Sequence, residues 1–215
     1  NLAQNSVERA QNSYDLAMEE YNQVLSDYSG NTYKSTETGY IKTLYVKAGD
    51  KVSGGTKLAD IYNDQVMKLK IPFLSTDALY ISVGNEAVLA MSDTGEQIGG
   101  IVTAISNMEG TLTGGRLVRY VTIEVANPGG LTSETWATAQ IGEFLCAQES
   151  CFEPALDTVM SADISSAVEI SSMAVNEGDY VSKGSPFFVM TDKTAENLMR
   201  GYKNSMDQAQ ENLDI

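Results

Sequence analysis

The chain has 215 residues, and 42% of them are hydrophobic, which suffices for one or two ordinary small cores. Its formal net charge of -15, with Lys and Arg in no cluster, excludes a nucleic-acid binder and repels anionic headgroups. With no histidine it lacks Ser-His and Cys-His nucleophile pairs and the commonest metal ligand.

Residues 1–30 open the chain with Ala3, Val7, Ala10, Tyr14, Ala17, Tyr21, Val24 and Tyr28, spaced alternately by 4 and 3. That spacing is an unbroken a/d seam and predicts a helix with one narrow apolar stripe. Such a helix is unstable alone in water and needs a partner along the stripe.

Residues 35–63 read as strand, tight turn, strand. Ile41, Leu44 and Val46 precede Gly49-Asp50-Lys51-Val52-Ser53-Gly54-Gly55, with glycines where a turn needs positive φ. Residues 64–147 alternate apolar and polar positions over short segments. Val66, Leu69, Ile71 and Phe73 begin the region, and Val118, Tyr120, Val121, Ile123 and Val125 form a later strand. Ala78 to Ile81 read as a short helix or turn, and the glycine pairs at 54–55, 99–100, 114–115 and 129–130 as hairpin turns. Regular short strands of this kind predict a small antiparallel β-barrel. Trp136, the single tryptophan, is expected to pack into a core.

Cys146 and Cys151 follow, five apart. A disulfide between them would close a small loop and fits a compartment outside the cytoplasm; two free buried thiols are the other reading. Residues 148–162, with Pro154, are expected to be a linker. In residues 163–193 the earlier unit returns 129 positions on. Ile170, Met173 and Val175 precede Gly178-Asp179-Tyr180-Val181-Ser182-Lys183-Gly184, so Gly49, Asp50, Val52 and Gly55 match Gly178, Asp179, Val181 and Gly184. Residues 194–215 carry a second seam, Ala195, Met199, Tyr202, Met206, Ala209 and Leu213.

Helix, β-half, middle region, β-half, helix is an order with an economical solution. The two halves make one β-domain, the middle region is inserted between them, and the helices leave side by side. Val7, Ala10, Tyr14, Ala17, Tyr21 and Val24 would then face Met199, Tyr202, Met206, Ala209 and Leu213. About 25 helical residues would extend the pair by roughly 38 Å. No GxGxxG or Walker loop occurs, and no carboxylate pair stands out in an apolar cleft, so no catalytic residue, cofactor or metal is expected.

Gly39-Tyr40-Ile41 … Val46-Lys47-Ala48-Gly49-Asp50-Lys51-Val52-Ser53-Gly54-Gly55-Thr56-Lys57-Leu58 resembles the lipoyl-like (barrel-sandwich hybrid) domain of periplasmic adaptor proteins. These are the HlyD-like membrane fusion proteins of efflux and secretion systems. Val175-Asn176-Glu177-Gly178-Asp179-Tyr180-Val181-Ser182-Lys183-Gly184 resembles the family's first half, which leads into a helix. Leu69-Lys70-Ile71-Pro72-Phe73, Val83-Gly84-Asn85-Glu86-Ala87, Gly99-Gly100-Ile101-Val102-Thr103-Ala104-Ile105 and Val125-Ala126-Asn127-Pro128-Gly129-Gly130-Leu131 resemble its β-barrel in order and spacing. One departure stands: a second-type half precedes the barrel and a first-type half follows it. The halves belong either to two units of a longer chain or to one permuted unit.

The resemblance implies a mainly β fold with three parts. They are a coiled-coil helical hairpin (1–30 and 194–215), a lipoyl-like domain from two distant halves (35–63 and 163–193) and a barrel (64–147). It implies a non-enzymatic adaptor on the extracytoplasmic side of the cell membrane, in the periplasm or on the outer surface, anchored through an upstream segment. Its partners would be an exporter (an ABC-type or proton-driven permease), further copies in a ring, and an outer-membrane channel where one exists. The rivals are an extracellular coiled-coil scaffold or adhesin and a lipoyl or biotinyl carrier domain. A carrier presents its lysine at the tip joining its halves, whereas Lys51 and Lys183 lie inside the Gly-Asp turns.

Overall fold

The 4–3 spacing at the start of the chain forms α1 (Leu2–Asp27), and Gly30 and Asn31, both left-handed with φ of 68° and 55°, turn the chain out of it. The computed structural model describes residues 2–214, residues 2 and 3 by their backbone only, so the seam position of Ala3 falls outside the described side chains. Then come β1 (Thr32–Lys34), β2 (Gly39–Leu44), β3 (Lys51–Val52), β4 (Lys57–Leu74), α2 (Ser75–Ala78), β5 (Glu86–Met91) and β6 (Gln97–Ile105). They are followed by β7 (Gly110–Leu112), β8 (Arg116–Ala126), β9 (Trp136–Ile141), β10 (Phe144–Leu145) and β11 (Ser150–Ser161). The chain closes with β12 (Val168–Met173), β13 (Tyr180–Val181), β14 (Pro186–Met190) and α3 (Asp192–Leu213). The protein is mainly β, and it divides into one unit of residues up to Ile61 with those from Thr158, and a second of Tyr62–Asp157.

In the second unit six antiparallel strands close a barrel in the order β4, β11, β9, β5, β6, β8, with β8 returning to β4. The closing ladder runs from Val66 opposite Ala126 to Leu74 opposite Val118. Alternate residues point inward, as period-two strands require, and Leu69, Ile71, Phe73, Leu89, Ile123 and Phe152 are fully buried there.

Three expectations change here. Gly99 and Gly100 are no turn: they lie within β6, opposite Val88 and Ala87. Gly100 faces a core too tight for a methyl group. Trp136 is 48% exposed, because Ala137, Ala139 and Ile141 take the inward positions of β9 and leave Trp136 the outward phase. Most of 148–162, expected as a linker, is the strand β11, Pro154 included.

In the first unit the two chain-distant segments pair strand against strand. Val52 of β3 lies opposite Val168 of β12, Val181 of β13 opposite Gly39 of β2, and Tyr33 of β1 opposite Phe188 of β14. The buried set takes Ile41, Val52 and Leu58 from one segment and Ile170, Val181 and Phe187 from the other. Tyr33 stacks on Phe188 with centroids 4.9 Å apart. α1 and α3 pack side by side in this unit. No segment among the described residues joins them into a hairpin, since they stand at opposite ends of the sequence.

Candidate functional site

The repeated turns are the most regular feature of the first unit. Gly49, Gly55, Gly178 and Gly184 all take φ between 86° and 91°, which a side chain would strain. In one turn the Asp50 carboxylate accepts from the Lys47 amide (2.9 Å); in the other Asp179 accepts from Asn176 (2.8 Å). Each turn then binds the opposite copy. The Gly49 amide donates to the Ile170 carbonyl and the Gly178 amide to the Ile41 carbonyl, both at 2.8 Å. In return, the Ile170 amide donates to the Asp50 carbonyl and that of Ile41 to the Asp179 carbonyl, both at 2.9 Å. Past the turns, Gly55 donates to Ala162 and Gly184 to Ser35, again at 2.8 Å. The two copies thus hold each other by the same bonds, as a pseudo-two-fold pair.

The helices spring from this base. Asn31, at the exit of α1, donates through Nδ2 to Asp192 Oδ1 in the first turn of α3 (2.7 Å), and Lys34 Nζ donates to the Ser26 carbonyl (3.1 Å). Because α1 ends where α3 begins, the helices run antiparallel. Along α1 the half-buried residues are Ala10, Tyr14, Ala17, Tyr21 and Val24, while Val7 is exposed. Along α3, Met199, Tyr202, Met206, Ala209 and Leu213 are half-buried, and Ala195 and Leu198 are fully so. Burial pushes the Tyr28 hydroxyl pKa up to about 12, helped by Tyr33, Tyr202 and nearby carboxylates. Tyr33 is also raised, chiefly by burial, although its hydroxyl accepts the Asp163 amide (2.9 Å), which pulls the other way.

Cys146 and Cys151 are free thiols, half-buried, and the expected disulfide is not formed. Register explains why. Cys146 donates its amide to the Ala139 carbonyl, whereas Cys151 lies opposite Trp136 on the same strand. Three strand residues separate those positions by about 10 Å, beyond the span of a disulfide.

Two features of the barrel have no counterpart in the sequence reading. Ser92, Asp93, Thr132, Glu134, Thr135, Trp136 and Glu149 line an open hollow, and Ser92 Oγ donates to Glu149 Oε2 (2.5 Å). Leu79, Tyr80 and Val83 stand exposed after α2. Their signal was a Leu-Tyr pair placed beside a turn, too short to show a period. No group of three or more His, Cys, Asp or Glu able to hold a metal occurs among the described residues. No described helix is long and apolar enough to cross a membrane. Compared with protein-family models, characterised proteins and solved structures, the chain gives no match.

Proposed function

We propose that the chain is a non-enzymatic adaptor of the membrane-fusion-protein kind, which couples an exporter in the cell membrane to substrate passage across the envelope. In this reading the two repeat copies are halves of one lipoyl-like domain, and α1 and α3 are the base of a coiled-coil hairpin. The barrel corresponds to the β-barrel domain of such adaptors. The chief support is the reciprocal bonding of the copies, Gly49 to Ile170 and Gly178 to Ile41, with two helices leaving the same base. An order that looks scrambled in sequence becomes one paired unit with a barrel inserted in it.

The role is mechanical. α1 has 26 residues and would reach about 39 Å at 1.5 Å each, enough for a docking arm. Copies would assemble around the transporter, on the extracytoplasmic side of the membrane. The test is affinity purification of the full-length native protein from its own membranes, in mild detergent, with its partners identified by mass spectrometry. A permease, with or without an ATPase, is expected in fixed ratio, and deleting the adaptor should stop export. Recovery without any transporter, or an intact mass showing an acyl adduct on Lys51 or Lys183, would overturn the proposal.

A further inference from the structure

The barrel strands deliver three loops to one end. β4 finishes at Leu74 opposite Val118, β6 finishes at Ile105 opposite Val121, and β9 finishes at Ile141 opposite Phe144. Gln140 lies opposite Val88 near the start of β5, so the loop entering β5 emerges at the same end. These loops and the short strand β10 carry Leu79, Tyr80, Val83, Met108 and Leu145, exposed by 69, 75, 64, 80 and 64%. Tyr80 stacks on Phe144 at 5.8 Å and ties two of the loops together. So many large apolar side chains at one end of a domain mark an interaction surface.

The loop backbone says which kind. Tyr80 donates to the Asp77 carbonyl (3.0 Å), Ser82 to Asn85 Oδ1 (2.8 Å) and Gly84 to the Val102 carbonyl (2.8 Å). Met108 has both backbone groups engaged by Ser106 Oγ at 3.2 Å, and Cys146 donates to Ala139 (2.9 Å). These amides are satisfied locally, which is the condition for entering an apolar medium that offers no hydrogen bonds. The exposed apolar groups come from three connections of the barrel and are each at least 64% exposed, so they can enter a soft interface. The charged groups on these loops and the adjoining strand ends are Asp77, Glu86, Glu109 and Glu143 against Arg116 and Arg119. That balance, on a chain of net charge -15, disfavours anionic headgroups.

We propose that this end of the barrel seats on a zwitterionic lipid bilayer, with Leu79, Tyr80, Val83, Met108 and Leu145 dipping roughly 5–10 Å into the headgroup–acyl boundary. Tyr80 suits that depth, with an apolar ring and a polar tip. The proposal is independent of the adaptor reading and survives its failure.

The test is flotation of the full chain with phosphatidylcholine vesicles, and with vesicles also containing phosphatidylglycerol. Binding to phosphatidylcholine is expected, weakened by the anionic lipid. Leu79→Ser with Leu145→Ser should lower partitioning at least about tenfold. Leu16→Ser with Leu25→Ser, at two exposed positions of α1 (63 and 42%), should leave it unchanged. Tyr80→Trp in a Trp136→Phe background places the chain's one indole at the tip. Its fluorescence should shift to the blue on the vesicles, which also decides the matter if the double serine variant fails to fold. The proposal is overturned if the wild-type chain does not float, if the folded tip variant floats like wild type, or if the indole at position 80 shows no shift.

Discussion

A methyl group on Gly100 would stand 2.7 Å from Ile123 Cγ2, 2.7 Å from Val125 Cγ1 and 2.9 Å from Leu89 Cδ1, while one on Gly99 would meet nothing within 4 Å. Gly100→Ala therefore overpacks the barrel core. It should cost about 1–3 kcal/mol in urea unfolding, while Gly99→Ala stays within about 0.5 kcal/mol of wild type. A glycine pair in sequence reads as a turn; only the facing strands reveal that one member is a close-approach site. Tyr28 makes a pH prediction. Its folded pKa of about 12 lies above the unfolded value of 10.0, so the neutral hydroxyl is favoured by folding. The corresponding stability is fully present below pH 10.0 and is lost as pH climbs towards about 12. Melting temperature should fall across that window, and Tyr28→Phe should flatten the fall.

At the scale of elements, the repeated turn invites paired substitutions. Asp50→Ala and Asp179→Ala each remove one carboxylate–amide bond of nearly equal length, 2.9 and 2.8 Å. Each should cost about 1 kcal/mol in chemical denaturation, and the two losses should match. A large inequality would mean the copies are not equivalent in energy. Gly201, inside α3 with nothing within 4 Å of an added methyl, is the reverse case, and Gly201→Ala should raise stability by about 0.5–1 kcal/mol. The turns were legible in sequence because positive φ demands glycine, and the helices because α1 and α3 keep a strict apolar spacing. β11 was not. Only Phe152 and Met160 of its twelve residues are buried, so it shows no alternation, and Pro154 argues for a loop. Cys146 and Cys151 misled for a related reason: closeness in sequence says nothing of the register that parts them on β9.

The whole molecule depends on pairings that span most of the chain. β3 finds β12, and β1 and β2 find β14 and β13, more than a hundred residues later. The order of repeats implied such closure, yet nothing in the residues fixed which strand lies beside which. Removing residues 158–215 would strip β12, β13 and β14 from their partners and bare Ile41, Val52 and Leu58, which are at most 1% exposed in the full chain. The barrel core draws on Leu69, Ile71, Phe73, Leu89, Ile123 and Phe152, all of which the shortened chain keeps. Limited proteolysis of a chain ending at Asp157 should therefore digest residues 1–61 quickly and spare a fragment close to Tyr62–Asp157, identifiable by mass. Adding residues 158–215 as a separate peptide should restore protection to the amino-terminal segment, because the missing strands can pair in trans. Protection of residues 1–61 without that peptide would show that the amino-terminal copy holds itself together, and the paired unit would not be one folding entity.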